Sequence, residues 1–577
     1  MLKTKVDELC ELLVNEKNNS LELDALSKSL NVPALTIEKI SKALESKGIV
    51  EVLYPLNMLS KSIIKLRQKL EGEELSAIKG KEISSYSIAS GDVKFNVSIV
   101  DVKNETQPIY QISLPTLGPY TSAYLDYIKT ELARQLPIES EELLDPRKSS
   151  QIKDRFFKAA YEKISELPDL DKKDRDMLTT ILIQKMYGLG NLDILMNDDM
   201  LEEISLNSSQ QPVSIYHRKF GWLKTNLTVQ DEEEVYNYAT SIGRKSGREI
   251  TLLEPIMDTH LASGDRVAAT LFPISTFGNT ITIRRFARDP WSLVDFIDPK
   301  IHTLSTDAAA LLWLSVQYEL NILVAGGTAS GKTSMLNTLC ALMPPSSRTI
   351  TIEDTRELTL PSYLKWNWVS LLTRNPNPEG KGGISMLELM LSSLRMRPDR
   401  VIVGEVRRRR EAEVLFEAMH TGHAVYSTIH ADTASQVIRR LTSPPFLLPP
   451  SELQALHMVL VMYRDRRKGL RRMLEISEVS SGGETLSLNT IYRWHARNDE
   501  FEKLNEGSRL MEELNLHTGM NIQEIQKDLN DKKQILDWLL KNNTRNMETI
   551  GKVMSLYYKD PQLISEAARK NTPADKV

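Results

Sequence analysis

Cysteine is nearly absent from this chain. Cys10 and Cys340 are the only two in 577 residues and lie far apart in sequence. No C-x-x-C pair exists, which excludes a zinc knuckle and a disulfide framework and suits a reducing compartment. Long hydrophobic runs are missing too. The nearest candidate for a membrane span, Ala308 to Val324, is broken by Gln317, Glu319 and Asn321. The stretch Met1-Leu2-Lys3-Thr4-Lys5-Val6-Asp7-Glu8 lacks the apolar core of a signal peptide. A cytoplasmic location is therefore expected, with any membrane association made through a partner. An excess of positive charge is also lacking: 73 Lys and Arg stand against 77 Asp and Glu, a formal net charge of -4. That balance argues against a protein dominated by nucleic-acid binding, without excluding a local basic patch. There are no internal repeats and no low-complexity tracts. What remains is an ordinary globular composition, 41% hydrophobic and 26% charged, in a chain long enough for several domains.

Residues 1–60 read as a winged-helix-like module. Ile37, Ile40 and Leu44 share one helical face, Pro33 suits the helix start, and Gly48 suits its end. Ile49-Val50-Glu51-Val52-Leu53-Tyr54 follows as a strand. The module is rich in Glu and Leu and has no Arg-rich recognition helix, so an adaptor role is favoured over DNA binding. Residues 61–187 form a linker and a helical/β region, with 61–82 read as a charged helix or linker and strands expected at 93–99 and 109–114. Residues 188–299 read as a mixed α/β domain. It has a hairpin turned near Lys219-Phe220-Gly221, a helix around 231–246, and strands near 266–271 and 280–286. From 300 to 499, strands near 321–325, 348–353, 366–373, 400–404 and 424–429 alternate with helices, which implies a mostly parallel sheet. A helical tail occupies 500–577.

Chemistry concentrates in the parallel-sheet region. Gly326-Gly327-Thr328-Ala329-Ser330-Gly331-Lys332-Thr333 fits the phosphate-loop pattern G-x-x-x-x-G-K-[ST] at every fixed position. It follows the apolar run Asn321-Ile322-Leu323-Val324-Ala325 and precedes an expected helix at Ser334. Glycines there let backbone N–H groups wrap phosphates, and the helix N-terminus adds partial positive charge. Lys332 would reach the β- and γ-phosphates, and the Thr333 hydroxyl would ligate Mg²⁺. No N-K-x-D string occurs, which favours ATP over a guanine nucleotide.

Three clusters follow. Thr349-Ile350-Thr351-Ile352-Glu353-Asp354 puts acids at the end of an apolar strand. Adjacent side chains alternate in direction, so only one of Glu353 and Asp354 can face the phosphates. Arg400-Val401-Ile402-Val403-Gly404-Glu405 resembles a Walker B element, with Glu405 at the strand end. A carboxylate there can hold Mg²⁺ through water or polarise the attacking water. In Thr421-Gly422-His423 through Ile429-His430-Ala431-Asp432, His423 and His430 flank an apolar strand. Their odd spacing points them to opposite faces, so one could sense the γ-phosphate while the other links to neighbouring elements. Metal binding by this pair lacks a third ligand.

Together, in order and context, these clusters resemble the type II and type IV secretion ATPase family, which includes type IV pilus and archaellum assembly motors. The resemblance covers about residues 185–480 and is closest to the archaeal pilus and secretion branch. It implies a RecA-like P-loop ATPase core preceded by a PAS-like α/β domain, in an overall α/β fold. It assigns ATP and Mg²⁺ as cofactors and 326–333 as the phosphate loop. Glu353 would assist metal or water positioning, and Glu405 would activate water; with Thr333, both would serve Mg²⁺ directly or through water. His423 and His430 would couple nucleotide state to a subunit interface. Arg266, Arg284 and Arg285, from the preceding domain, would approach the phosphates as charge-stabilising groups. The family also implies a homohexameric ring working on a polytopic membrane platform protein, and through it on pilin-like subunits. The competing reading is a ring ATPase that translocates nucleic acid. The chain departs from bacterial type II members in lacking their tetracysteine zinc module.

Overall fold

Val6, Leu9, Cys10 and Leu13 recur at helical spacing and are all buried, in the first helix, Lys5–Asn15. The computed structural model describes every residue except 1, 17, 55–61, 71–77, 91–92, 104, 115, 137–145, 262, 287–289, 377–379, 483–484 and 577. It divides into two compact units, Met1–Phe286 and Ala287–Val577.

In the first unit, helices Leu23–Leu30 and Ala34–Glu45 follow the first helix. Strands β1 (Ser20–Glu22), β2 (Val50–Leu53) and β3 (Ile63–Leu66) form an antiparallel sheet in the order β1-β3-β2, a winged-helix arrangement. The expectation of a helix or linker from 61 fails at β3. Ile64 and Leu66 alternate inward, so the segment fits between β1 and β2. Lys39 and Lys42 on the third helix face Glu166 and Glu38, so that helix carries no open basic stripe.

This module shares a core with helices Pro119–Gln135, Pro146–Ser165 and Lys172–Tyr187. Its polar anchor is Asp7, fully buried. Asp7 accepts from the backbone N–H groups of Tyr120 and Thr121 at 3.0 and 3.2 Å and from the Thr121 hydroxyl. A carboxylate at a helix N-terminus satisfies N–H groups that have no partner within the helix.

A second sheet has nine strands. They are β4 (Lys81–Ser90), β5 (Val93–Asp101), β6 (Ile109–Ser113), β7 (Leu201–Leu206), β8 (Ser214–His217), β9 (Gly221–Thr225), β10 (Ile256–His260), β11 (Arg266–Thr270) and β12 (Thr280–Arg284). The order is β10-β11-β12-β7-β8-β9-β6-β5-β4, and β6 joins β9 in parallel. Strands from 61–187 and 188–299 therefore lie in one sheet, around one apolar core that includes Phe95, Tyr110, Ile204 and Ile283.

The second unit is a RecA-like α/β core. Its strands are β13 (Ile322–Gly326), β14 (Thr349–Glu353), β15 (Trp368–Leu372), β16 (Arg400–Val403), β17 (Ala424–Ile429), β18 (Met458–Asp465), β19 (Leu470–Gly482), β20 (Thr485–His495) and β21 (Glu500–Lys503). The order is β15-β14-β16-β17-β13-β18-β19-β20-β21. The first six are parallel, and the last three extend the sheet antiparallel from the sixth, β18. β13, β14 and β17 are buried at every position, as a sheet covered on both faces requires.

Residues 290–299 pack with this unit. Arg545 reaches Asp295 at 3.0 Å and also pairs with Asp298. The tail helices Ser508–Thr518, Ile522–Lys541, Met547–Lys559 and Pro561–Arg569 share the apolar core of helix Thr306–Gln317. The Trp313 indole N–H donates to the Tyr558 hydroxyl at 3.1 Å, and that hydroxyl donates to the Leu342 carbonyl at 2.5 Å. Residues 508–576 are thus a built-in layer of the core.

Candidate functional site

Parallel strands deliver their carboxyl ends to one edge, where open α/β sheets bind ligands. At this edge β14, β16, β17 and β13 are neighbours and end at Glu353, Val403, Ile429 and Gly326. The phosphate loop leaves β13 and enters the helix Lys332–Cys340. Gly326 has φ +151°, and a Cβ there would lie 2.4 Å from both the Met462 carbonyl oxygen and Ser330 Oγ. Gly331 caps the helix at φ +99°. Both backbone shapes favour glycine.

Lys332 is 9% exposed. Its ammonium donates to the carbonyls of Gly326 and Gly327 at 3.0 and 2.9 Å, folding over the loop. Burial lowers its pKa, opposed by Glu405, Glu357 and Asp432. Ser330 Oγ is buried in the loop without a hydrogen-bond partner. Thr333 is half-buried at the second residue of the helix. From the opposite side, Arg471 of β19 donates to the Ala329 carbonyl at 3.1 Å.

Glu405 follows Gly404, whose N–H is bound to the Ile352 carbonyl and whose own carbonyl accepts from the Thr428 hydroxyl. One carboxylate oxygen, Oε1, lies 3.1 Å from His430 Nε2. The other, Oε2, accepts from Arg407 Nε and Nη2 at 2.9 and 2.7 Å. Arg407 Nη1 donates to Asp354 Oδ2 at 2.8 Å. His430 Nδ1 is 3.4 Å from Lys332 Nζ. Burial lowers the His430 pKa, reinforced by Lys332, Arg440 and Arg407 and opposed by Glu405. The neutral ring then donates from Nε2 to Glu405 and presents Nδ1 to the ammonium. Arg440 donates to the His430 carbonyl at 2.9 Å. A cleft of about 480 Å³ lies beside the loop, with His430, Asp432, Gln436 and Arg440 in its wall.

The two acids at the end of β14 divide as their alternation implies. Glu353 is 2% exposed, and its Oε1 accepts from the N–H groups of Glu357 and Leu358 at 2.8 and 3.0 Å. Its Oε2 is buried without a partner, and burial pushes its pKa up to about 7. Asn337, on the phosphate-loop helix, holds the same turn by bonding the Glu357 carbonyl and the Thr359 N–H. Asp354 belongs instead with Arg407 and the Thr373 hydroxyl.

His423 is not at this edge. It precedes β17, and its Nδ1 lies 3.1 Å from Thr421 Oγ1 and 3.2 Å from the Ala418 carbonyl, at the C-terminus of helix Arg409–His420. A strand rises about 3.3 Å per residue, which puts His423 roughly 20 Å from His430. The pair flanks one strand, but only His430 joins the loop.

The three arginines lie in the first unit. Arg266 forks onto Asp258, bonding Oδ1 at 2.9 Å through Nε. Arg284 is exposed at the end of β12, in register with Arg266 and with Glu203. Arg285 is 3% exposed in its side chain, and its Nη1 donates to the carbonyls of Leu195 and Asp198 at 3.2 and 3.0 Å. Beside Asp265 as well, Arg285 stitches loops of its own unit together.

Sequence reasoning missed the clamp by Arg407, the role of Asp354 within it, and the contacts of Arg440 and Arg471. The i, i+2 spacing of Glu405 and Arg407 past a strand end was the available signal, since such residues share a face. Arg440 lies beyond the motif and is delivered by helix Ala434–Thr442. Its contact with the His430 carbonyl is tertiary and leaves no mark on spacing.

The loop fits a nucleotide's phosphates: it has an orphaned hydroxyl at Ser330, a cradle at Gly326 that a Cβ would fill, and a lysine folded across it. Among the described residues no group of three His, Cys, Asp or Glu could hold a metal. Mg²⁺ in phosphate-loop sites takes one or two carboxylates plus phosphates and waters. Thr333 and Glu405 are the residues that would serve it, with Glu353 behind them.

Residues 255–459 match the family model described as type II/IV secretion system protein. An uncharacterized protein of Methanocaldococcus jannaschii is 34% identical over 351 residues, covering 60% of this chain and 62% of that relative. The match thus spans less than two thirds of that relative's length. A second uncharacterized protein from the same organism is 36% identical, covering 44% of this chain and 93% of its own. The type IV secretion system protein PtlH of Bordetella pertussis is 31% identical, covering 44% of this chain and 84% of its own. This chain belongs to the type II/IV secretion system protein family.

Proposed function

We propose that this protein is an Mg²⁺-dependent ATPase that drives a type II/type IV secretion-like system. The carrying observation is the unbroken run Asp354–Arg407–Glu405–His430–Lys332 along the sheet edge beside a phosphate loop. Lys332 and the loop N–H groups bind phosphates, Thr333 serves Mg²⁺, and Glu405 orients the attacking water. The Mg²⁺ ion, when bound, offsets charge on the phosphates. His430 reports the state of the phosphates to Glu405 through its two ring nitrogens. The chain acts as a homohexamer at the cytoplasmic face of a membrane. It passes its motion to a polytopic platform protein that handles pilin-like or secreted subunits. Membership of the secretion family supports this reading.

Phosphate release from ATP tests it. Lys332→Ala is expected to lose nucleotide binding, and Glu405→Gln to keep binding while turnover falls by about 10²–10⁴-fold. Wild-type turnover in Glu405→Gln would remove Glu405 from its role. Cross-linking in native membranes with Glu405→Gln should then recover a polytopic membrane protein. Recovery of DNA instead would favour a nucleic-acid translocase.

A further inference from the structure

We infer that Arg407 is the positioning residue of this site, setting which oxygen of Glu405 faces the phosphate loop. The inference rests on the hydrolytic reading above. Backbone bonds on both sides of Glu405 fix where its side chain begins: Gly404 N–H to the Ile352 carbonyl, and Val406 N–H to the Thr428 carbonyl. They leave the side-chain torsions open. Arg407 closes them by placing two donors, Nε and Nη2, on the single oxygen Oε2. Oε1 is thereby turned toward His430 Nε2, 3.1 Å away. His430 is in turn the neighbour of Lys332.

Arg407 is itself held. Its remaining nitrogen, Nη1, donates to Asp354 Oδ2 at 2.8 Å, and its backbone N–H donates to Glu411 Oε2 at 3.0 Å. The clamp thus runs across three adjacent strand ends, β14 to β16 to β17, and reaches β13 through Lys332. A guanidinium is needed because one planar group must grip two carboxylates in fixed directions; an ammonium is a point charge with freely rotating donors. The Arg407 side chain is 59% exposed. Its contribution to folding is therefore small, as for exposed ion pairs generally, and its effect should appear in geometry. A carboxylate displaced by about 1 Å from its productive position can cost on the order of 10²-fold in rate. Asp354 acts one step further out, through Arg407.

The test is steady-state ATP turnover together with equilibrium binding of a fluorescent ATP analogue. It uses the full chain as wild type, Arg407→Gln, Arg407→Lys, Asp354→Asn and the Arg407→Gln/Asp354→Asn pair. Arg407→Gln should lower kcat by about 10–100-fold while KM and analogue affinity stay within about threefold. Arg407→Lys should recover part of the loss. Asp354→Asn should lower kcat less, and the double variant should be no worse than Arg407→Gln, because both changes act through one group. If Glu405→Gln abolishes turnover but Arg407→Gln keeps the wild-type kcat, the positioning role is wrong and the hydrolytic reading stands. A loss of affinity equal to the loss of rate, or additive losses in the double variant, would also overturn it. Absence of turnover in the wild-type chain would overturn both.

Discussion

At the residue scale, burial decides what each polar group at this edge can do. Glu353 and Asp354 are chain neighbours at the end of the same strand, yet one is enclosed and the other lies at the surface of the Arg407 network. His457 shows the same logic away from the site. It sits just before β18, where its Nδ1 accepts the Asn321 N–H at 2.9 Å while Asn321 also bonds the Val425 N–H. One histidine thus helps join the starts of three strands, β13, β17 and β18. Acceptance at Nδ1 suits the neutral ring, and burial, helped by Arg509 and His517, pushes its pKa down to about 4. The folded chain therefore binds this proton less readily than the unfolded chain, whose histidine titrates near 6.5. Stability from this group is present above pH 6.5 and is lost as pH falls toward 4. Between pH 7 and pH 5 the loss is about 2 kcal/mol. Urea midpoints at the two pH values should register it, and His457→Asn should flatten the difference. An unchanged pH slope in that variant would show that other groups cause it.

At the element scale, the sequence was most legible where one strand or one loop carries its own signature. The five parallel strands from β13 to β17 and the phosphate loop lie within two residues of their expected positions, because a short β-branched or apolar run bounded by polar residues is a local pattern. The antiparallel extension was not legible, since β19–β21 mix charged and apolar residues and are defined by pairing with one another and with β18. Nor was the attachment of the tail. Leu536, Trp538 and Leu539 read as an apolar seam without saying what covers them; the partner is helix Thr306–Gln317, some 220 residues earlier.

That attachment hides a charge. Lys532 is fully buried, paired with Asp528 and bonded to the Tyr557 hydroxyl at 3.0 Å, over the rings of Trp313 and Tyr557. Burial lowers its pKa, with Asp528 opposing. Removing one member of a buried pair strands the other, at a cost of about 3–5 kcal/mol, and the cost is greatest when the stranded member is the more enclosed one: Lys532 is fully buried, whereas the Asp528 side chain is 17% exposed. Asp528→Ala should therefore destabilise the second unit far more than Lys532→Met in urea unfolding. Equal losses would mean that the pair is solvated in solution.

At the scale of the whole molecule, each of the two units has its own tie between distant segments. In the first, Asp7 fastens the winged-helix module to helix Pro119–Gln135. In the second, Arg545 fastens the tail to residues 295–298. Neither tie was visible in sequence, because each links a single charged residue to a segment more than a hundred positions away. The chain has a mass of 65.5 kDa. The proposed hexameric ring makes a definite demand on mass. Glu405→Gln is expected to hold ATP with little turnover, so all subunits of the proposed ring can rest in one nucleotide state. With ATP and Mg²⁺ this variant should sediment at about six times the 65.5 kDa chain mass. Lys332→Ala, expected not to hold ATP, should stay smaller at the same concentration, because a ligand that binds the assembled form stabilises it by mass action. Identical sedimentation of the two variants would separate assembly from nucleotide. A dimer or trimer under saturating ATP would exclude the hexameric ring while leaving the chemistry of Glu405 untouched.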